Sequence, residues 1–235
     1  MTPYNQQIEF FISDVEIPFE LGRFFVRDYR DDDYIFQKNL MGNVSSSNTK
    51  YWLDDYWWEN QDRLPICVGC AWCHWIEDGP ITHQSESKPI ISPITIYNEA
   101  QKLDSIPGEN YNGTSVRAGA KYLKSIKKIK KYLWIKDIQT LVYTILNTGP
   151  VIAGTIWYYD MFYPNENGLI QIGGEKSGAH AYVINGVNVE KELFRIKNSW
   201  GKGWGKDGRA YISFSDMKRL LNEYGEICLP IENKF

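Results

Sequence analysis

Helical spacing of apolar residues dominates the chain between residues 51 and 150. A mostly apolar stretch, with small Gly69 and Ala71 that permit close packing, predicts a helix over Cys67–Ile76. Proline-rich residues 78–93 predict a loop. Capping residues and apolar spacing predict three further helices, which run from Ser92 to about Leu103, from Thr114 or Ser115 through Ile126, and from Lys136 to Asn147.

After Gly149-Pro150 the pattern of residues becomes typical of β-strands. Four strands are predicted: Val151–Trp157, His180–Val189, Leu193–Lys197 and Arg209–Phe214. Asp216 is predicted to cap a short helix through Leu221. A helical first half followed by a strand-rich second half predicts an α+β fold, with a helical lobe and a strand-rich lobe that meet in a cleft.

Residues 1–50 show neither the helical nor the strand period clearly. They contain the charged stretch 27–34 and the polar stretch 43–50. We therefore expect an N-terminal extension over residues 1–50 and a folded domain over residues 51–235. Our hypothesis is that the extension packs against the two lobes or covers the cleft.

Composition and charge exclude two classes of partner. The 235 residues carry a net charge of −3, so no excess of positive charge points to nucleic acid. The basic run Lys121–Lys131 is interrupted by apolar residues and is interpreted as an amphipathic helix with a solvated lysine face. No signal peptide or membrane-spanning segment is evident, which predicts a cytoplasmic protein without membrane attachment.

Three of the four cysteines lie within seven residues, which in a reducing compartment indicates metal binding or catalysis. Cys70–His74 matches the C-x-x-C-H pattern of haem attachment, but no export signal or axial ligand accompanies it. Zinc remains an alternative with five potential ligands, although a spacing of three along one helix lacks the usual turn. Those ligands are Cys67, Cys70, Cys73, His74 and His83. No cofactor is predicted.

A second set of residues has the types that nucleophilic catalysis needs. Cys67 stands at a predicted helix start, where the thiolate is stabilised. His180, on a predicted strand, is a candidate base, and Asn198 is a candidate to orient it. Asn198 begins a segment with four glycines and two tryptophans, which suits a shielded side chain in a tightly folded backbone. Gln61 is a candidate donor to an oxyanion.

The glutamine six residues before Cys67, GAHAYVINGVN around His180 and IKNSWGKGWGKDG around Asn198 resemble the papain-like cysteine peptidases. Within that family the chain is most similar to compact bacterial and bacteriophage members. The resemblance implies peptide or protein substrates and an acyl-thioester intermediate. It makes Cys67 the nucleophile, His180 the base, Asn198 the orienting residue and Gln61 the oxyanion donor. It also implies that Asn112, Gly113 and Thr114 border the substrate cleft.

The chain departs from the plant and lysosomal members of that family. Leu64 stands where those enzymes have a disulfide cysteine, and the Cys67-to-His180 spacing of 113 is short. Cys70 is a second candidate nucleophile, with Gln61 nine residues away. A catalytically idle fold that only binds peptides is a further alternative.

Overall fold

The computed structural model describes residues 7–9, 16–37, 47–54, 58–78, 91–106 and 111–233. The helices are α1 (Cys67–Asp78), α2 (Pro93–Gln101), α3 (Val116–Ser125), α4 (Ile138–Asn147) and α5 (Phe214–Asn222). The strands are β1 (Gln7–Glu9), β2 (Phe25–Arg27), β3 (Thr49–Tyr51), β4 (Ile129–Ile135), β5 (Val151–Tyr158), β6 (Lys176–Asn188), β7 (Leu193–Lys197), β8 (Arg209–Ser213) and β9 (Glu226–Glu232).

An antiparallel sheet of seven strands organises the described part of the chain. Its order is β4-β9-β5-β6-β7-β8, and β3 also pairs with the long strand β6. The register sets His180 of β6 opposite Thr155 of β5. His180 therefore lies within the sheet, and pairing with strand β5 fixes its backbone.

Helix α1 lies between the sheet and the other helices of the first lobe. All of its residues are buried, and its contacts are chiefly with α2 and β6. The approach to α2 requires glycine, because a Cβ at Gly69 would lie 2.2 Å from the carbonyl oxygen of Pro93. One apolar core surrounds Trp72 of α1, and a second surrounds Trp157 of β5. The predicted α+β arrangement of two lobes is confirmed.

The predicted helices and strands are present, with shifts of a few residues at their ends. The interpretation of Lys121–Lys131 as one helix is wrong. Helix α3 ends at Ser125, Lys127 takes a left-handed turn with φ of 60°, and β4 begins at Ile129. The sequence pattern missed both β4 and its partner β9. The cap at Asp216 is also wrong, because Ser213 Oγ accepts the Asp216 N–H at 3.0 Å.

Residues 16–37 lie against the body of the domain rather than apart from it. Arg117 of α3 holds them by ion pairs with Asp31 and Asp28, and Phe36 donates its N–H to the Trp134 carbonyl at 2.8 Å. The proposed domain boundary at residue 50 falls within β3, and it stays a prediction. Most of the loop predicted over residues 78–93 lies outside the described residues.

A buried ion pair joins α1 to the strand that carries the Asn198 segment. Lys197 Nζ lies 2.7 Å from Asp78 Oδ2, and both side chains are fully buried. Burial raises the Asp78 pKa to about 7, against the opposing effect of Lys197. Lys197→Met leaves that acid without its cation, so we expect the free energy of unfolding to fall by about 3–5 kcal/mol.

Urea unfolding followed by tryptophan fluorescence measures this loss. The matched control is the double variant Lys197→Met, Asp78→Leu, which removes both charges and is expected to lose much less stability than the single variant. Equal losses in the two variants would show that the unpaired Asp78 carboxyl is not the cause of the loss.

Candidate active site

Cys67 is the first residue of α1, where backbone N–H groups lack helical partners. Its sulfur is fully buried and accepts hydrogen bonds from the backbone amides of Val68, Ala181 and Gly22. Burial nevertheless raises the pKa of the Cys67 thiol to about 11, since these amides offset only part of the desolvation. The thiol is therefore protonated at neutral pH while it stays covered.

His180 and Asn198 form a directed pair. Nε2 of His180 lies 2.7 Å from Asn198 Oδ1. The same oxygen accepts the backbone N–H of Ser199 at 2.8 Å, which identifies it as the amide oxygen. His180 Nε2 must then carry a proton, so Nδ1 is the nitrogen with a free lone pair. Nδ1 is buried and has no hydrogen-bond partner among the described residues, as expected of a base awaiting a proton.

Aromatic side chains enclose this histidine. The Trp200 ring stacks on the imidazole with centroids 4.6 Å apart, and Trp157 meets it edge-on at 5.0 Å. Burial lowers the pKa of His180 to about 4, although the hydrogen bond to Asn198 acts in the opposite direction. The imidazole is neutral at pH 7 in this state. Asn198 is fully buried, as its tryptophan-flanked sequence predicts.

Gln61 is tied to the same segment. Its Oε1 accepts from Ser199 Oγ at 2.6 Å, and its backbone N–H donates to the Ser199 carbonyl at 2.8 Å. Its Nε2 donates to the backbone carbonyls of Glu20 and Leu64, both at 2.9 Å. The predicted oxyanion donor therefore already holds a peptide carbonyl, and that carbonyl comes from the N-terminal extension.

Residues 19–24, named the strap here, run across the cleft. Phe19 stacks on Trp200, with centroids 4.5 Å apart and an interplanar angle of 7°. At the other end, Phe24 N–H donates to the Thr114 carbonyl and Thr114 N–H to the Gly22 carbonyl, both at 2.9 Å. Between these ends, the Glu20 carbonyl accepts a hydrogen bond from Gln61, and the Gly22 amide lies against the Cys67 sulfur. The described residues of the extension thus cover the cleft.

Two of the three residues predicted to border substrate contact this strap. Thr114 forms a parallel bridge with Arg23, and Gly113 lies against the Phe24 ring. Gly113 has φ of 141°, and Tyr97 Oη accepts its N–H at 2.9 Å. Asn112 is exposed. Asp104 supports this edge by accepting a hydrogen bond from Thr114 Oγ1 at 2.7 Å.

The second candidate nucleophile occupies a different environment. Cys70 lies one turn into α1, where it packs against Ile66 and Tyr97 and contacts Ser199. Burial raises its pKa well above the ordinary thiol value. The backbone amide of Ala181, the residue after His180, acts on the Cys67 sulfur and not on Cys70. These contacts favour Cys67 over Cys70.

The remaining alternatives find less support in the described residues. There, no three His, Cys, Asp or Glu side chains are grouped as metal ligands, and His83 lies outside the described ranges. His74 is buried and accepts the Glu59 N–H at 2.9 Å, which is a structural role. No helix in the described part of the chain combines the length and apolar character that crossing a bilayer requires.

Comparison with known proteins identifies the family. The family model described as papain family cysteine protease matches residues 71–226, which is more than half of the chain. A cathepsin B-like cysteine proteinase of Ostertagia ostertagi is 32% identical over 94 residues. That match covers 37% of this chain and 54% of the relative, so the chain spans about half the length of the curated relative it matches.

Solved structures confirm the predicted fold. Xylellain, a cysteine protease of Xylella fastidiosa, superposes with a TM-score of 0.73 at 18% identity, covering 94% of this chain and all of that one. A Carica candamarcensis cysteine protease gives a TM-score of 0.60 at 17% identity, covering 80% of this chain and all of that one. Bromelain of Ananas comosus gives 0.55 at 16%, with the same coverage. The chain belongs to the papain family of cysteine proteases.

Proposed function

We propose that this chain is a cysteine peptidase that hydrolyses peptide or protein substrates, with Cys67 as nucleophile, His180 as base, Asn198 as orienting residue and Gln61 as oxyanion donor. The observation that carries the proposal is the fixed tautomer of His180. Its Nε2 proton is committed to Asn198 Oδ1, and its free Nδ1 is buried without a partner among the described residues. The backbone amide of the next residue, Ala181, acts on the Cys67 sulfur.

The proposed reaction uses these four residues in turn. A proton passes from Cys67 Sγ to His180 Nδ1, and the thiolate attacks the carbonyl carbon of the substrate. The oxygen gains the negative charge, which Gln61 Nε2 and the Cys67 backbone N–H stabilise. His180 then protonates the amine as the carbon–nitrogen bond breaks, leaving a thioester. Water gives a proton to His180 and attacks the thioester, which releases the acid and the thiolate.

We further propose that residues 1–50 are an extension that keeps a peptidase domain over residues 51–235 latent. The strap supplies the physical reason. The Gly22 amide lies against the Cys67 sulfur, so the strap occupies the place that a substrate needs. Both N–H groups of the Gln61 amide are also in use, so a substrate carbonyl must displace that of Glu20.

Gln61→Ala separates catalysis from access. Because the variant loses the oxyanion donor, we expect kcat for a fluorogenic peptide to fall by about 10²–10³-fold. The same change removes one contact that retains the strap, so alkylation of Cys67 by limiting iodoacetamide is expected to stay equal or become faster. Mass spectrometry of the mapped peptides measures the alkylation.

Gln101→Ala is the matched control, because that amide supports Tyr111 and Gly113 at the border of the cleft without reaching the sulfur. Unchanged peptide hydrolysis in Gln61→Ala would remove Gln61 from the reaction. A chain whose Cys67 alkylates readily but which cleaves no peptide would instead be an idle peptide-binding fold.

A further inference from the structure

Helix α1 begins with two cysteines that are separated by Val68 and Gly69. Cys67 is the first residue of the helix, and Cys70 follows three residues later. Residues three apart lie on the same face of a helix, with their Cα atoms about 5 Å apart. That separation falls within the range of roughly 4.4–6.8 Å that a disulfide spans. A Cys-x-x-Cys pair at a helix start is also the arrangement that thiol–disulfide oxidoreductases use.

The surroundings of the two thiols place them on one side of α1. Burial raises the pKa of the Cys70 thiol most, and the charges of neighbouring groups, Cys67 among them, raise it further. Tyr97 of α2 lies near both thiols. It packs against Cys70, and burial together with the charge of Cys67 raises its own pKa. The two sulfurs therefore share the side of α1 that faces Tyr97.

The first turn of α1 is able to close around a disulfide. Cβ atoms three residues apart on a helix are about 5–6 Å apart and a disulfide brings them to about 4 Å, so the turn must tighten by roughly 1–2 Å. The first N–H groups of a helix have no partner within it. The Cys70 N–H is the first with such a partner, the Ile66 carbonyl at 3.0 Å. Closure thus disturbs one helical hydrogen bond at most.

A second pair with the same spacing lies deeper in the helix. Cys73 follows Cys70 by three residues, but their turn lies between helical turns on both sides. Tightening it would break hydrogen bonds that a turn at the helix start does not have. Helix geometry therefore favours a bond from Cys70 to Cys67 over a bond from Cys70 to Cys73.

The two thiols differ in their access to an oxidant. Cys67 faces the cleft once the strap leaves, and a nucleophilic thiolate is the form that peroxides oxidise. Cys70 is fully buried, and its raised pKa keeps it as an unreactive thiol toward an external oxidant. An oxidised sulfur at Cys67 would nevertheless lie beside it in the same turn.

We propose that Cys70 is a resolving cysteine, which converts a Cys67 oxidised by a hydroperoxide into a reversible Cys67–Cys70 disulfide. The disulfide would stop peptide hydrolysis and protect the nucleophile from irreversible oxidation. This inference rests on the proposed role of Cys67 as the nucleophile. The disulfide itself is measurable without catalysis.

The proposed steps balance in atoms and electrons. The Cys67 thiolate attacks one oxygen of hydrogen peroxide, the O–O bond breaks, and the other oxygen leaves as hydroxide, which gives a sulfenic acid. The Cys70 sulfur then attacks the Cys67 sulfur, the S–O bond breaks, and the hydroxyl group leaves with the Cys70 proton as water. A dithiol reverses the change by attack on the exposed Cys67 sulfur, is itself oxidised to a disulfide, and restores both thiols.

Differential labelling tests the disulfide in full-length protein carrying Gly22→Ala, the strap variant explained in the Discussion. The protein is treated with hydrogen peroxide, free thiols are blocked with N-ethylmaleimide, and thiols released by dithiothreitol are labelled with iodoacetamide. Peptide mapping is expected to find the iodoacetamide label on Cys67 and Cys70 in equal amounts. Cys73 and Cys228, the other free cysteines, should carry N-ethylmaleimide.

The kinetic test compares recovery from peroxide. With Cys70→Ala added, the Cys67 sulfenic acid has no resolving thiol and proceeds to sulfinic acid, which dithiothreitol does not reduce. The fraction of peptide hydrolysis that dithiothreitol restores should therefore fall by at least about fivefold. Cys73→Ala is the matched control, because it removes another buried thiol of α1, and it should recover as the parent does.

Two results would overturn the inference. One is the absence of the iodoacetamide label from Cys70, whether Cys67 is labelled alone or together with Cys73 or Cys228. The other is equal recovery from peroxide in the Cys70→Ala and Cys73→Ala proteins. A Cys67–Cys70 disulfide in a protein that cleaves no peptide before oxidation would overturn the proposed function and leave the redox pair standing.

Discussion

Removal of the Cys67 sulfur is expected to abolish peptide hydrolysis. In the Gly22→Ala background, Cys67→Ala should lower kcat/KM by about 10⁴-fold or more, because the variant has no nucleophile to form the thioester. Hydrolysis of a fluorogenic peptide at substrate concentrations well below KM measures the loss directly.

Cys70→Ala is the matched control for that variant. Cys70 lies in the same buried helix and loses the same atom, but it packs against Ile66 and Tyr97. Its activity should stay close to that of the Gly22→Ala parent. A large loss in Cys70→Ala with retained activity in Cys67→Ala would reverse the assignment of the nucleophile.

A second large effect is expected from Gly22→Ala, which adds one methyl group to the strap. A Cβ at Gly22 would lie 2.1 Å from the carbonyl oxygen of Pro65 and 2.6 Å from its carbonyl carbon. These are backbone atoms two residues before Cys67, so they cannot move aside as a flexible side chain does. Gly22→Ala is therefore expected to displace the strap and expose the sulfur.

The expected increase in the alkylation rate follows from the pKa of the Cys67 thiol. Burial under the strap raises its pKa to about 11 from 9.0, so release to the ordinary value alone increases the thiolate at pH 7 by roughly 100-fold. Alkylation of Cys67 should accelerate by at least that factor. Gly203→Ala is the control, because no atom lies within 4 Å of the added methyl group. Equal alkylation rates in the two variants would show that the strap does not limit access.

Local patterns were sufficient to predict much of the fold. Helix α1 was predicted from an apolar stretch with small residues and strand β7 from residues that favour strands, and both predicted positions agree with the structure. Strand β4 failed because its lysines also suit a helical face, and because its stability comes from β9, about 100 residues later in the chain. A pairing at that distance leaves no trace in a local window of sequence.

The residues of the candidate site were also predicted only in part. The sequence alone identified four candidate catalytic residues, because their side chains are of functional types at informative spacings: Gln61, Cys67, His180 and Asn198. The strap was foreseen only as a general hypothesis about residues 1–50. Its contacts at Glu20 and Gly22 are made by backbone atoms, which every residue possesses. Phe19 on Trp200 and Arg23 with Glu226 are side-chain contacts, but the second of them joins residues 203 positions apart.

We propose that Cys67 is a nucleophile that His180 activates and that the strap covers. The pH dependence of iodoacetamide alkylation, mapped to each of the four cysteines, tests it most directly in wild-type protein, in Gly22→Ala and in Gly22→Ala with His180→Ala. A raised pKa means that the thiolate appears only as the pH rises, so wild-type Cys67 should titrate near pH 11. In Gly22→Ala it should react below pH 7, and without His180 it should return toward the ordinary thiol pKa of 9.0. A Gly22→Ala profile that titrates near that ordinary value with or without His180 would contradict the activation of Cys67 by His180.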